Sequence, residues 1–458
     1  MITAQAFRGK RYAVLGLARS GAAAAEALLA SGAEITVWDR QPAPRTAFEG
    51  RCAVTDLLEV DLSGFDGVVV SPGVPLNNHP IGRHAQLYGV PVIGDIELFA
   101  LARPELPPHS VIGVTGTNGK STTVALIHHI LCEAGVPTLL GGNIGEPIMA
   151  QDPLGEGGTY VLELSSFQID LTRSLACDIA GLTNITPDHL DRYPDFTAYA
   201  FAKGRLFAMQ NAGAHAVFGS AHGAAAAIRE AEVARRPGGR VILATSEGLV
   251  DQQREWPALQ GPHNLENAAI AVTITDLLGR PSNDWQAALR TFRGLPHRME
   301  IVCEAGGITF VNDSKATNTA SAAPALAAFP PDPAIRDGAP RVHWILGGLA
   351  KEETLGDCRA HLANIACAYT VGEAGPMFGD ALGGLVPRIE RCELVSEALR
   401  RALELAQRGD VILLSPACAS YDQFRDFAQR GELFRTLVGA LTGCETCAPE
   451  PSTGGGAA

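Results

Sequence analysis

Short apolar runs alternate with longer stretches of helical period along most of this chain. That is the pattern of strands buried in parallel sheets and covered by helices. Residues 12–17 (YAVLGL) read as a first strand, followed by an Ala/Leu helix that ends at Ser31-Gly32. Residues 34–39 (EITVWD) and 68–71 (VVVS) read as a second and third strand. A proline-rich break at 103–108 (RPELPP) reads as a linker. Beyond it come a buried strand around Val111, Ile112 and Val114, a tight turn at 116–119, and a helix that opens at Lys120 and carries Val124, Leu126, Ile127, Ile130 and Leu131. Residues 159–166 and 179–184 read as strands and 140–145 (LGGNIG) as a Gly-rich loop, while 208–240 is Ala-rich and weakly patterned. Phe196, Tyr199, Ala200, Lys203 and Phe207 fall on one face of a helix, and another helix starts near Asn264. Three more strands, near 308–312, 341–347 and 410–415, each run into a polar loop.

The expected fold class is therefore α/β with three domains. Residues 1–108 and 298–446 are each expected to form a Rossmann-like, doubly wound sheet. Residues 109–297 are expected to form a P-loop domain with a mostly parallel sheet. The last stretch, 447–458, is expected to be a disordered tail.

Composition narrows the function classes. An apolar content of 46% with no run long enough to span a bilayer describes a globular chain. The opening MITAQAFRGKRYAVLGL enters a strand pattern without a secretory apolar region, so a cytoplasmic location is expected. A net charge of −13 argues against a general nucleic-acid or membrane-surface binder, so any phosphate site has to be locally basic. The ten cysteines are scattered, and the one close pair, Cys444 and Cys447, has no second pair to complete a zinc site. Only five of the 36 basic residues are lysine: Lys10, Lys120, Lys203, Lys315 and Lys351. Where arginine supplies almost all the generic positive charge, a retained lysine points to a place that needs a compact or modifiable amine.

The strand–turn–helix at 110–133 has the architecture of a phosphate-binding loop. Gly116, Thr117, Asn118 and Gly119 let backbone N–H groups curl around an anion. The helix N-terminus at Lys120, Ser121 and Thr122 adds donors and a positive dipole end. Lys120 is placed to reach terminal phosphates and Ser121 to hold Mg²⁺. Glu163, near the end of its strand, suits a metal ligand beside such a loop. Asn184, Asp188, His189 and Asp191 gather past the end of another strand. Lys203 lies on an apolar stripe, so its amine is paired, neutralised, modified by CO₂ into an anionic ligand, or snorkelling to solvent. In the first segment, Gly16-x-Ala18-x-x-Gly21 is a dinucleotide fingerprint with alanine for its middle glycine. Asp39 there either contacts a sugar or base or caps the strand end.

TGTNGKST (115–122), ELSSFQ (163–168), NITPDHLDRY (184–193), GPHNLEN (261–267) and LPHR (295–298) together resemble the Mur ligases, which build the bacterial cell-wall peptide. The likeness extends to about residue 440. NDSKATN (312–318) and SPACASYDQF (415–424) look like the branch of that family that adds D-glutamate. The resemblance implies that ATP activates the carboxylate of UDP-N-acetylmuramoyl-L-alanine as an acyl phosphate, which the amine of D-glutamate then attacks. It places the UDP substrate near Leu17, Ala18, Asp39, Arg40, Ser71 and Gly73, with Asn143. It places ATP on the loop 116–122, with Asn264 and Asn267 on adenine, Asp313 on ribose, and Arg298 and Lys315 near the phosphates. Two Mg²⁺ ions are implied, held by Ser121, Glu163, His189 and a carboxylated Lys203. Lys120, Asn143, His189 and Lys203 would be catalytic, and Thr317, Lys351, Ser415 and Phe424 would receive D-glutamate. A monomer without nucleic-acid or membrane partners is expected. Two other readings are a folylpolyglutamate synthetase, which needs no UDP domain, and a P-loop regulatory ATPase, which needs no amino-acid pocket.

Overall fold

The computed structural model describes residues 1–189, 192–236, 238–279, 282–351 and 353–444. Asp191, Cys447 and the tail 447–458 lie outside the described residues. The described residues divide into two compact units, one within Met1–Thr245 and Glu266–Ala288, the other within Ser246–Leu265 and 289–444.

The first unit holds two parallel sheets. β1 (Arg11–Leu15), β2 (Glu34–Trp38), β3 (Ala53–Val54), β4 (Gly67–Val70) and β5 (Val92–Ile93) order as β3-β2-β1-β4-β5. Every pairing is parallel. β4 is buried on both faces, which is why its sequence is a continuous Val-Val-Val run rather than an alternation. A Cβ at Gly21 would run into the Gly16 carbonyl, so that glycine lets the helix Arg19–Ala30 approach the turn after β1.

The second sheet comprises β6 (His109–Thr115), β7 (Thr138–Gly142), β8 (Gly158–Glu163), β9 (Ile179–Leu182), β10 (His215–Phe218) and β11 (Val241–Leu243). Its order is β11-β10-β9-β6-β8-β7, again all parallel. Three local expectations change. Residues 140–142, read as loop, end strand β7; position 142 is glycine because a Cβ there would collide with the Glu163 backbone across the ladder. β8 stops at Glu163, and Ser165 caps a short helix, Ser166–Asp170, in a capping box with Gln168. The weakly patterned 208–240 holds β10 and the helix Gly223–Arg235, whose buried Glu232 is paired with Arg235 and Arg236.

The proline-rich break is no loose tether. Arg103 donates to the Ala176 carbonyl (2.5 Å) and to Asp178 (3.2 Å), and Phe99 packs on Tyr160 of β8 at 5.0 Å between ring centroids. One apolar cluster runs from Tyr12, Val14 and Val37 through Phe99 to Val111, Tyr160 and Leu162, so the first two sheets share a core.

The second unit carries β12 (Glu300–Ala305), β13 (Ile308–Asn312), β14 (Val342–Gly347), β15 (Ile365–Val371), β16 (Ile389–Arg391) and β17 (Val411–Leu414) in the order β12-β13-β17-β14-β15-β16. All pairings are parallel except β12 with β13. The antiparallel edge departs from an all-parallel doubly wound sheet. Gly306-Gly307, both at positive φ (61° and 78°), make the two-residue turn that reverses the chain. Side chains of β14 alternate between two apolar layers, Trp344 and Leu346 in one and Ile345 in the other.

Candidate active site

The turn between β6 and the helix Lys120–Glu133 gathers the densest set of candidate residues. Gly116 and Gly119 adopt φ +148° and +82°. A Cβ would strike the Thr183 hydroxyl at the first and the Asn267 carboxamide at the second, so both positions require glycine. The polar turn after β9 closes over the loop. Thr117 N–H donates to Asn184 O (2.8 Å), Asn118 N–H to Asn184 Oδ1 (3.0 Å), and Thr183 Oγ1 to Asn118 O (2.6 Å). Ser121 is buried and Thr122 half-buried at the start of the helix.

Both lysines turn toward one carbonyl. Lys120 Nζ donates to Gly116 O (3.0 Å) and Thr117 O (2.8 Å), and Lys203 Nζ donates to the same Gly116 O (2.7 Å). Lys203 is 2% exposed on the helix Phe196–Ala208, so it does not snorkel. Burial, then the charge of Lys120, push its amine down to about 7. Tyr199, one turn earlier, braces the cluster. Its hydroxyl lies 3.1 Å from Thr117 Oγ1, the Lys203 ammonium sits 4.5 Å from its ring centroid, and the His189 ring lies 6.1 Å away. His189 itself takes φ +54°, next to the Phe167 ring (4.9 Å) and the Asp188 carboxylate (3.6 Å).

Glu163, at the end of β8 and in register with Val114 of β6, is 1% exposed. Its Oε1 accepts from Asn143 Nδ2 (2.8 Å), while its Oε2 is buried without a hydrogen-bond partner. An unmet buried acceptor costs roughly 1–3 kcal/mol, and more when charged, unless a ligand meets it. An orphaned carboxylate oxygen beside a phosphate loop and a buried serine fits a hard divalent cation. Among the described residues, no group of three His, Cys, Asp or Glu side chains is placed to hold a metal without other donors. Asn267 Oδ1 accepts from Thr123 Oγ1 (3.4 Å), within the same unit.

The carboxyl edge of the first sheet brings Leu17, Asp39 and Ser71 together. Asp39 Oδ2 accepts from Leu17 N–H (2.6 Å) and Oδ1 from Gln41 N–H (2.8 Å), so the acid ties the strand-end turns. Ser71 Oγ is 3.3 Å from Ser20 Oγ. Ala18, Arg40 and Gly73 are exposed around them. Arg19 reaches across to the Gly145 carbonyl (2.6 Å), linking this edge to the segment that carries Asn143.

In the second unit, Asp313 and Ser415 meet: Ser415 Oγ donates to Asp313 Oδ2 at 2.7 Å. The resemblance had given one to ribose and the other to the amino acid. Burial pushes the Asp313 carboxyl up to about 7. Arg298 lies between two left-handed residues, His297 (φ 61°) and Met299 (φ 46°), and Met299 N–H donates to Asp313 Oδ1 (3.2 Å). The Lys315 ammonium stands 5.0 Å from the Phe427 ring centroid. Thr317 is half-buried, Lys351 exposed beyond the Gly347-Gly348 turn, and Phe424 packs in part on an apolar core cluster. Asn264 is buried and donates to the Gln260 carbonyl (3.1 Å). Sequence reasoning passed over Tyr199 as a brace and Arg430 altogether. Tyr199 carried a signal, since it stands four residues before Lys203 on the same stripe.

A P-loop carrying two converging lysines and a carboxylate with one unmet oxygen, on an α/β scaffold of mostly parallel sheets, fits an ATP-dependent amide-bond ligase, the class to which similarity to known ligases assigns the chain. The chain belongs to the Mur ligase family. It matches the Mur ligase middle domain over residues 114–236 and the Mur ligase, glutamate ligase domain over 297–418. It is 59% identical over 442 residues to the UDP-N-acetylmuramoylalanine–D-glutamate ligase of Novosphingobium aromaticivorans, covering 96% of this chain and 97% of that one. It is 54% identical over 444 residues to the ligase of the same name from Sphingopyxis alaskensis, covering 96% and 100%. Among solved structures its fold is similar to MurF from Acinetobacter baumannii (TM-score 0.57, 17% identity, 96% and 93% covered). It is likewise similar to the UDP-N-acetylmuramate-alanine ligase MurC of Thermotoga maritima (TM-score 0.56, 17% identity, 94% and 99% covered).

Proposed function

We propose that this chain uses ATP to join D-glutamate to UDP-N-acetylmuramoyl-L-alanine, a step of peptidoglycan precursor synthesis. The convergence of Lys120, Lys203, Asn143 and the open Glu163 oxygen on one phosphate loop carries this reading. Full-length similarity to ligases of that name supports it over a folylpolyglutamate synthetase or a regulatory ATPase. The substrate carboxylate attacks the γ-phosphorus of ATP, ADP leaves, and an acyl phosphate remains. The amine of D-glutamate adds to its carbonyl and phosphate departs. Each step gathers anions, so positioning and fixed positive charge supply most of the rate.

Each side chain then has a task. The loop 116–122 and Lys120 hold the phosphates, and Asn143 and His189 face the acyl group. Asn264 and Asn267 read adenine, Asp313 the ribose, and Arg298 and Lys315 add charge. The uridine diphosphate lies at Leu17, Ala18, Asp39, Arg40, Ser71 and Gly73, and the amino acid at Thr317, Lys351, Ser415 and Phe424. Ser121 and Glu163 would hold one Mg²⁺, with Glu163, His189 and Lys203 near a second; when bound, these ions neutralise phosphate charge. Lys203 enters that set as its carbamate. A free ammonium would repel the ion, whereas an amine lowered to about 7 is substantially neutral and open to CO₂. In this reading the domain boundaries fall near residues 108 and 298, and the protein acts as a cytoplasmic monomer.

The test is ADP release across a panel of amino acids, with and without the UDP acceptor. Release that depends on both D-glutamate and the acceptor is expected. Hydrolysis indifferent to either would overturn the ligase reading.

A further inference from the structure

The second unit contains a buried cation that no part of this scheme uses. Arg430 lies on the helix Phe427–Thr442, within RDFAQRGELF, a segment with no motif to single it out. It is 2% exposed. Its Nε donates to Ser314 Oγ (3.0 Å) and its Nη2 to Ser314 O (2.8 Å) and Cys418 O (3.0 Å). Its Nη1 donates to Ala419 O (3.4 Å). None of these oxygens belongs to a carboxylate; Asp422 and Asp313 act on it only at longer range. The carbonyl oxygens solvate the charge without cancelling it, which is costly in a protein interior and calls for a reason.

Each contact sits under a loop that the amino-acid pocket needs. Ser314 lies between Asp313 and Lys315, three residues before the half-buried Thr317. Cys418 and Ala419 follow Ser415 in the loop after β17. Nη1 also stands 3.2 Å from where a Cβ on Gly348 would be, and Leu349 pairs with Ala419, so the turn leading to Lys351 is held next to the guanidinium through Ala419. A planar five-donor fork can bond two strand-end loops at four points in one geometry; an ammonium cannot.

We propose that Arg430 is the positioning residue of the amino-acid pocket: it ties the loops after β13 and β17 together from beneath, backs the Gly348 turn through Ala419, and places a positive charge behind them that favours a dicarboxylic amino acid. This rests on the function proposed above for the same sheet edge.

The test compares the full-length wild type with Arg430→Lys and Arg430→Gln in the ADP-release assay. The wild-type arm is run on an amino-acid panel, and the variants are measured on whichever amino acid it uses. For D-glutamate, KM is expected to rise about tenfold in Arg430→Lys, which keeps the charge but loses the fork, and further in Arg430→Gln. KM for the UDP acceptor, bound by the other unit, should stay within about twofold. Ser314→Ala removes one hydroxyl from the network, serves if the arginine variants do not fold, and should raise the D-glutamate KM about threefold. An unchanged D-glutamate KM in folded variants, or a parallel rise in both KM values, overturns the role of Arg430. Wild-type preference for another amino acid overturns the proposed substrate but leaves Arg430 to be judged on that amino acid. No amino-acid dependence at all overturns both.

Discussion

Asp39 and Glu163 are two acids at the carboxyl edges of two parallel sheets in one compact unit, and the structure treats them differently. Both oxygens of Asp39 accept backbone N–H groups, from Leu17 and Gln41. Glu163 shares one oxygen with Asn143 and leaves the other buried and unmet. Topology therefore supplies equivalent places at a sheet edge, while hydrogen-bond satisfaction separates their uses. The satisfied acid holds its turn in shape; the unsatisfied one keeps an acceptor open.

Replacing Glu163 with Gln is the strongest test of that contrast. Removing the anionic ligand should lower kcat about 10³-fold in the ADP-release assay, with the melting temperature unchanged or raised because a buried charge has gone. Full activity in Glu163→Gln would break the comparison. Next in size, Lys203→Ala should lose about 10²-fold in kcat and recover part of it with added formate or acetate. A fully active Lys203→Arg would rule out a carbamate, since a guanidinium cannot form one. The smallest effect is expected at the satisfied acid. Asp39→Asn keeps one good acceptor and loses the other, so stability to denaturant should fall by about 1 kcal/mol and KM for the UDP acceptor rise about fivefold, with kcat nearly unchanged. A kcat loss there as large as in Glu163→Gln would erase the distinction between the two edges.

What the sequence made legible followed from local rules. Glycine beside Lys-Ser after an apolar run leaves few conformations other than a phosphate loop, and the Tyr199–Lys203 stripe has helical period, so these elements could be read directly. Segments governed by packing were harder. The alanines of 208–240 carry little contrast between faces, which hid β10 and its helix. Gly142 looked like a loop residue because its need for a bare Cα arises from Glu163 on the neighbouring strand, remote in sequence. Gly306-Gly307 did carry a hairpin signal, but a doubly wound expectation gave it no weight. Arg430 was invisible for a different reason: its partners are mainly backbone carbonyls, which have no residue type to recognise.

The core joining the first two sheets changes how this protein comes apart. Ile2 N–H bonds to the Met149 carbonyl (3.2 Å), Phe99 rests on Tyr160, and Arg103 clamps the chain just where a boundary would be drawn. Scission near residue 105 would strip the apolar flank of Phe99 bare instead of releasing two self-sufficient pieces, so the first sheet and the phosphate loop melt as one body.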